Sequence, residues 1–326
     1  MRFLRASAKT ILWVGLAAPL VLVVLKREAI YDWWRLRGYS PPPAIAALAA
    51  QGTMTPLSQH LFYINRPQLV ASDSLFRQNC PNSEQTIVLG CYLGGQRGIY
   101  IYDVLDTRLA GVEQVTAAHE MLHSAYERLS NEQRKTIDKL LSDYYKNELR
   151  DQRVIDTINN YKKTEPYTLV DEMHSVFGTE IASLPVALES YYARYFGNRS
   201  AVVVFAQSYG GEFTSRVNQI NTYDSQLTTM RQNIDQREQN LSEQLAGIES
   251  DKTRLDSLRS TGQLAQYNAE VDNFNNRVDT YNRGITQLQR DIKTYNRLIE
   301  KRNQLAAELR GLQDALDTRL STQQTR

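Results

Sequence analysis

The chain has 326 residues, with 38 Lys and Arg against 36 Asp and Glu and a formal net charge of +2. So small a balance offers no electrostatic footprint for a nucleic-acid partner. No glycine-rich phosphate loop is present, and no Ser-His-Asp or Cys-His nucleophilic set can be assembled.

In chain order, Arg2, Arg5 and Lys9 precede an uncharged run from Ile11 to Leu25. Joined to Ala6–Thr10, with Lys9 reaching back to the interface, the run attains the roughly 20 residues that a membrane-spanning helix needs. No small-x-small cleavage site follows promptly, so an uncleaved signal anchor is expected rather than a cleaved signal peptide. Tyr31, Trp33 and Trp34 read as an interfacial aromatic belt. Residues 1–40 are then anchor and juxtamembrane stretch, and Pro41-Pro42-Pro43 is a stiff spacer or turn. Cations flank the run on both sides and do not decide its orientation. Cys80 and Cys91, the only cysteines, do help. A close pair in an exported segment reads as a disulfide, worth on the order of 2–3 kcal/mol. The expectation is a single-pass cell-membrane protein with its N-terminus cytoplasmic and its bulk extracytoplasmic.

Residues 44–208 are numerous enough for a hydrophobic core and read as an α+β domain, mostly helical with a small sheet. Strands are expected at 86–93 and 98–105, the second alternating at its start through Ile99, Tyr100 and Ile101. Helices are expected near 112–129, 131–147, 149–162, 166–182 and 185–196, with Ala201–Phe205 as a closing strand.

Residues 119–123 read His-Glu-Met-Leu-His, which uses two of only four histidines. Residues four apart share one face of a helix, so His119 and His123 can each aim a ring nitrogen at one metal ion. Glu120, beside the first ligand, can take a proton from a metal-activated water and pass it to a leaving amine. Asp106-Thr107 offers capping side chains ahead of this helix. Ala117 and Ala118 permit close packing, and Leu122, Ala125 and Leu129 supply a buried face. A hydrolytic zinc takes three protein ligands and keeps a fourth position open. The metzincin pattern would need Gly at 126 and His at 129, where Tyr126 and Leu129 stand, so the third ligand comes from elsewhere. Residues 169–180 carry apolar side chains at helical spacing (Leu169, Met173, Val176, Phe177) together with Asp171, Glu172 and Glu180.

On His119, Glu120, His123 and this downstream acidic helix, the chain resembles the gluzincin group of zinc metallopeptidases, over about residues 85–200. The resemblance implies a zincin-like domain, a Zn²⁺ cofactor, a protein or peptide substrate, and a glutamate ligand on the second helix. Glu172 is the expected ligand. Glu180 and Asp171 are alternatives, as ligand or as partner to a ligand histidine. His174 is expected to stabilise the oxyanion, to support a ligand, or to bind metal itself. The group's helix carries an acid four residues after the ligand, and Val176 stands there in this chain. The resemblance also gives the strand just before the motif helix the role of pairing with an extended substrate. Tyr191, Tyr192 and Tyr195 read first as packing residues and second as oxyanion donors.

After Gly210-Gly211, residues 212–321 lack proline and turn to Gln, Asn, Arg, Asp and Leu. Ile220, Leu227, Ile234, Leu241, Ile248 and Leu255 recur every seven residues. Beyond Ser260-Thr261-Gly262, Leu264, Val271, Val278, Ile285, Ile292 and Ile299 form one set, and Tyr267, Phe274, Tyr281, Leu288 and Tyr295 the other. Two helices joined by a glycine turn, an antiparallel coiled-coil hairpin, are expected. The second core position of the first arm is weak, since Arg237, Gln244 and Asp251 fall there, so the hairpin is a candidate for pairing with a partner or a second copy. The competing reading is an envelope scaffold or adaptor that recruits partners through this hairpin, with a structural or inactive metal domain.

Overall fold

The computed structural model describes residues 27–80, 88–164 and 166–318. The expected anchor, residues 6–25, lies outside them. Among the described residues no helix is long and apolar enough to cross a membrane. The described residues divide into two compact units, one made of those up to Glu212 together with 313–318, the other of Phe213–Leu312.

The first unit is mostly helical around a small sheet. It opens with α1 (Arg27–Leu36), α2 (Pro43–Gln51), α3 (Pro56–Ile64), β1 (Gln68–Val70) and α4 (Asp73–Asn79). Pro43 and Pro56 each occupy the first turn of their helix, where the missing N–H costs nothing. Next come β2 (Gly90–Leu93) and β3 (Gly98–Tyr102), then α5 (Val112–Glu127), α6 (Asn131–Asn147), α7 (Gln152–Thr164), α8 (Leu169–Glu180) and α9 (Val186–Tyr192). α6 begins with a full capping box, Ser130 and Gln133 each satisfying the other's backbone N–H.

The sheet order is β1-β3-β2, with β3 parallel to β1 and antiparallel to β2. This alters one expectation. The strand just before the motif helix is β3, which is central and paired on both sides, so the edges of the sheet are β1 and β2. The first expected strand, 86–93, is β2 at Gly90–Leu93, with residues 86–87 outside the described ones. Cys80 and Cys91 form a disulfide, joining the end of α4 to β2.

The core gathers Phe62, Ile99, Ile101, Leu122, Leu141, Phe177 and Tyr192. Leu122, Ala125 and Leu129 are buried as their spacing implies. α5 and α8 cross closely because residue 178 is glycine: a Cβ there would meet Leu122 Cδ1 at 2.5 Å and Tyr192 Cε1 at 2.7 Å. Asp106 does not cap the motif helix. It caps a single 3-10 turn, Thr107–Leu109, by accepting from the Arg108 N–H at 3.0 Å. α5 starts instead at Gly111, with φ of 101°, where a side chain would strike Phe205.

The strand expected at 201–205 is helical. Those residues open α10 (Arg199–Ser260). Val202, Val203 and Ala206 are buried while Val204 faces out, a helical rather than a two-residue period. A short valine run has no decisive period of its own, so packing on the core selected the helix. Gly210 and Gly211 sit inside this continuous helix, just before the division between the two units at Glu212.

In the second unit, α10 is followed by α11 (Leu264–Leu316), with Gly262 at φ of 72° in the turn between. Cross-helix ion pairs join Asp224 to Arg302, Arg237 to Asp291, Asp251 to Arg277 and Arg254 to Glu270. One number rises as the other falls, so the helices are antiparallel. Ile234, Leu241 and Leu255 are buried in the seam, whereas Ile292 stays 37% exposed. Arg237 and Asp251, the polar breaks in the seam, find opposite charges across it. Such half-exposed pairs contribute little stability, about 1 kcal/mol or less each, but they pin the register.

Candidate metal centre

α5 carries His119 and His123 on one face, with ring centroids 4.8 Å apart. α8 crosses it and brings up Glu172. Glu172 Oε2 lies 3.5 Å from His119 Nε2, and Oε1 lies 3.5 Å from His123 Nε2. One ligand atom from each of the three residues falls within 4.8 Å of the others, the one such group of histidine, cysteine and acidic residues among the described residues. A group of two ring nitrogens and a carboxylate oxygen gathered this closely could hold a divalent metal ion. All three side chains keep a little exposed surface, which leaves a way in from solvent.

The neighbours orient these donors. His123 Nδ1 is 2.8 Å from Asp171 Oδ1, which favours the tautomer with Nδ1 protonated and Nε2 free for a metal. Burial disfavours a charged His123 ring, but Glu172 and Asp171 outweigh it and raise its pKa to about 10. A bound cation would take the place of that proton. Burial pushes the Glu172 carboxyl up, yet His123, His119 and a hydrogen bond from Tyr161 hold it below the usual range. Tyr161 reaches it from α7.

Glu120 is buried next to the group, and burial raises its pKa, with Glu172 adding to the rise. The Tyr92 backbone N–H of β2 donates to its carboxylate. The Tyr92 hydroxyl donates to Glu127, and Gly95 N–H reaches the same carboxylate at 3.0 Å. The edge strand is thus fastened to the motif helix at two points. Gly90 makes this approach possible: a Cβ there would lie 2.4 Å from Thr116 Cγ2 and 2.8 Å from Glu120 Oε1. Gly90→Ala is expected to cost about 1–3 kcal/mol through overpacking, measured by denaturant unfolding. An unchanged midpoint would mean that β2 does not press on Glu120.

The other expected residues lie elsewhere. Glu180, at the far end of α8, is ion-paired with Arg153 and takes no part in the group. Asp171 is a partner to His123 rather than one of the three donors. His174 is fully buried; its Nε2 is 2.8 Å from Tyr191 Oη and its ring packs against Tyr126, Tyr191 and Tyr192. Burial, together with His123 and His119, holds it well below the usual histidine range. A group with no exposed surface does not border the opening, so this placement does not support an oxyanion role. Tyr191, Tyr192 and Tyr195 are likewise buried packing residues, and the Tyr192 hydroxyl donates to the His174 carbonyl. Tyr161 and Gly90 carry no signal in the sequence, because their roles arise from helix and strand packing.

Compared with protein-family models, with curated proteins and with solved structures, the chain finds no match.

Proposed function

We propose that the chain is a membrane-anchored, extracytoplasmic zinc metallopeptidase of gluzincin-like type, with Zn²⁺ held by His119, His123 and Glu172. The observation that carries this reading is the convergence of two helices distant in sequence on three donors at metal-compatible spacing, with the buried Glu120 beside them. When bound there, zinc supplies Lewis acidity and brings the pKa of a water down to about 7.

The chain's own residues do the rest. Glu120 takes a proton from the attacking water and delivers it to the leaving amine as the peptide bond breaks. Its raised pKa suits both directions of that transfer. Asp171 and Tyr161 hold His123 and Glu172 in place, which preserves the donor geometry through the cycle. β2 is the edge strand that lies next to Glu120. An extended peptide can add to that edge by backbone hydrogen bonding, which positions the scissile bond without demanding particular side chains. The disulfide between Cys80 and Cys91 suits an oxidising compartment and, with the uncharged run at Ile11–Leu25, supports the extracytoplasmic placement.

Elemental analysis of the purified full chain tests the metal centre. About one zinc per chain is expected, and His119→Ala should lose it while keeping the wild-type circular dichroism spectrum. Metal-free wild-type protein that cannot be loaded with zinc would favour the scaffold reading.

A further inference from the structure

α1 has two unlike faces. Its inner face is tied to the first unit. Asp32 is buried, taking bonds from Arg128 Nη1 at 3.0 Å and Nη2 at 2.6 Å, with His60 Nε2 at 2.9 Å. Tyr31 donates to the Gln96 carbonyl at 3.0 Å, and Arg35 Nε donates to the Ile64 carbonyl at 2.9 Å. Tyr31 therefore does not belong to an outward aromatic belt.

The outer face is apolar and cationic. Ile30, Trp33 and Trp34 are 47%, 61% and 64% exposed. With Arg37 they fall at positions i, i+3, i+4 and i+7, one continuous stripe. The Arg37 guanidinium lies 5.2 Å from the Trp33 ring centroid. Two neighbouring tryptophans this exposed leave apolar area in water that a covering surface would remove.

Three features specify what covers them. Only Lys26 separates Arg27, the first residue of α1, from the uncharged run Ile11–Leu25. Tryptophan with flanking arginine is the chemistry of the membrane–water interface, where the ring sits at headgroup depth and the cation meets phosphate. And one face of a ten-residue helix offers far less than the roughly 800 Å² per partner of a stable protein interface.

We propose that the outer face of α1 seats in the headgroup layer of an anionic bilayer. Ile30, Trp33 and Trp34 enter the boundary with the acyl chains, and Arg27 and Arg37 engage lipid phosphates. The Asp32–Arg128 pair makes α1 a strut rather than a tether. Arg128 is the C-cap of α5, so the motif helix is held directly against the membrane-seated element. The domain then works at a fixed attitude to the bilayer surface.

This inference rests on reading residues 6–25 as the membrane segment, and one experiment separates the two. The chain has three tryptophans, so Trp13→Phe leaves Trp33 and Trp34 as the only tryptophan emitters, excited selectively at the red edge of the absorption band. That full-length variant is placed in vesicles of phosphatidylcholine and phosphatidylglycerol, with acyl chains either plain or brominated near the glycerol end. For rings seated about 5–10 Å into the headgroup–acyl boundary, emission should fall by about half or more on the brominated lipid and resist aqueous iodide. If the variant floats with the vesicles while bromination leaves its emission unchanged, the seating of α1 is overturned and the anchor stands, whether iodide quenches (an exposed face) or does not (a face covered by protein). If the wild-type chain fails to float, both are overturned.

Discussion

Replacing Glu120 with glutamine is expected to leave zinc bound and to reduce peptide hydrolysis by about 10²–10⁴-fold. The amide keeps the size of the carboxylate and can still accept the Tyr92 N–H, so the packing of β2 on α5 survives. What it loses is the ability to accept a proton from water and return it to the amine. The substitution does not touch the three donors, and metal content should remain as in the parent. Turnover of an unstructured protein substrate, read beside elemental analysis, decides the matter. Equal turnover in a zinc-loaded Glu120→Gln protein would remove Glu120 from the mechanism. Loss of both zinc and activity would instead make Glu120 part of the metal site.

Asp32→Asn is expected to destabilise the first unit by about 2–3 kcal/mol, because a side chain at the α1–α5 junction would strand Arg128 without its carboxylate partner. For a unit of this size that corresponds to a fall of roughly 4–12 °C in melting temperature. The effect carries a pH signature. Burial pushes the Asp32 carboxyl up, but hydrogen bonds and charge from Arg128 and His60 outweigh it and hold its pKa below the ordinary value of 3.8. A carboxyl depressed in the folded state contributes stability above its unfolded pKa, and that contribution is lost as pH falls through the folded value. The gap between parent and variant should therefore be full at neutral pH and close below about pH 4. A gap that stays constant down to acid would mean that Asp32 acts through packing and not through its charge.

This junction also shows where sequence reading stopped. Residues 1–40 read as a membrane anchor and its juxtamembrane stretch, because the uncharged run, Trp33, Trp34 and the cations dominate the pattern. A single aspartate within α1 gave no sign that it would be buried against Arg128, almost a hundred residues away. Once that pair forms, α1 belongs to the folded unit.

The candidate metal centre divides along the same line. His119, Glu120 and His123 are legible because their relation is local: four residues along one helix place two side chains on one face whatever the rest of the chain does. The acidic helix at Leu169–Glu180 is legible in its apolar spacing, but the choice among its carboxylates is not, since Asp171, Glu172 and Glu180 differ only in the face they present. The crossing of α5 and α8, drawn close by Gly178, decides which of them comes near the two histidines. Glu172 meets the two histidines, Asp171 reaches the back of His123, and Glu180 turns to Arg153.

The fold repeats the pattern at larger scale. Long heptads and capped amphipathic helices declare themselves, because their energetics are short-range and periodic: residues 131–147 and the two arms of the hairpin are where their spacing puts them. The valine run at 201–205 and the order of the sheet are not local properties. A run of five apolar residues fits helix or strand equally, and strand order depends on which edges find partners. Burial of Val202, Val203 and Ala206 on the core turned the first into helix, and pairing of β3 on both sides left β2 as the edge beside Glu120. Chemistry written within one helical turn could be read from residue order, whereas every feature that brings two distant segments together waited for packing to choose among locally equivalent options.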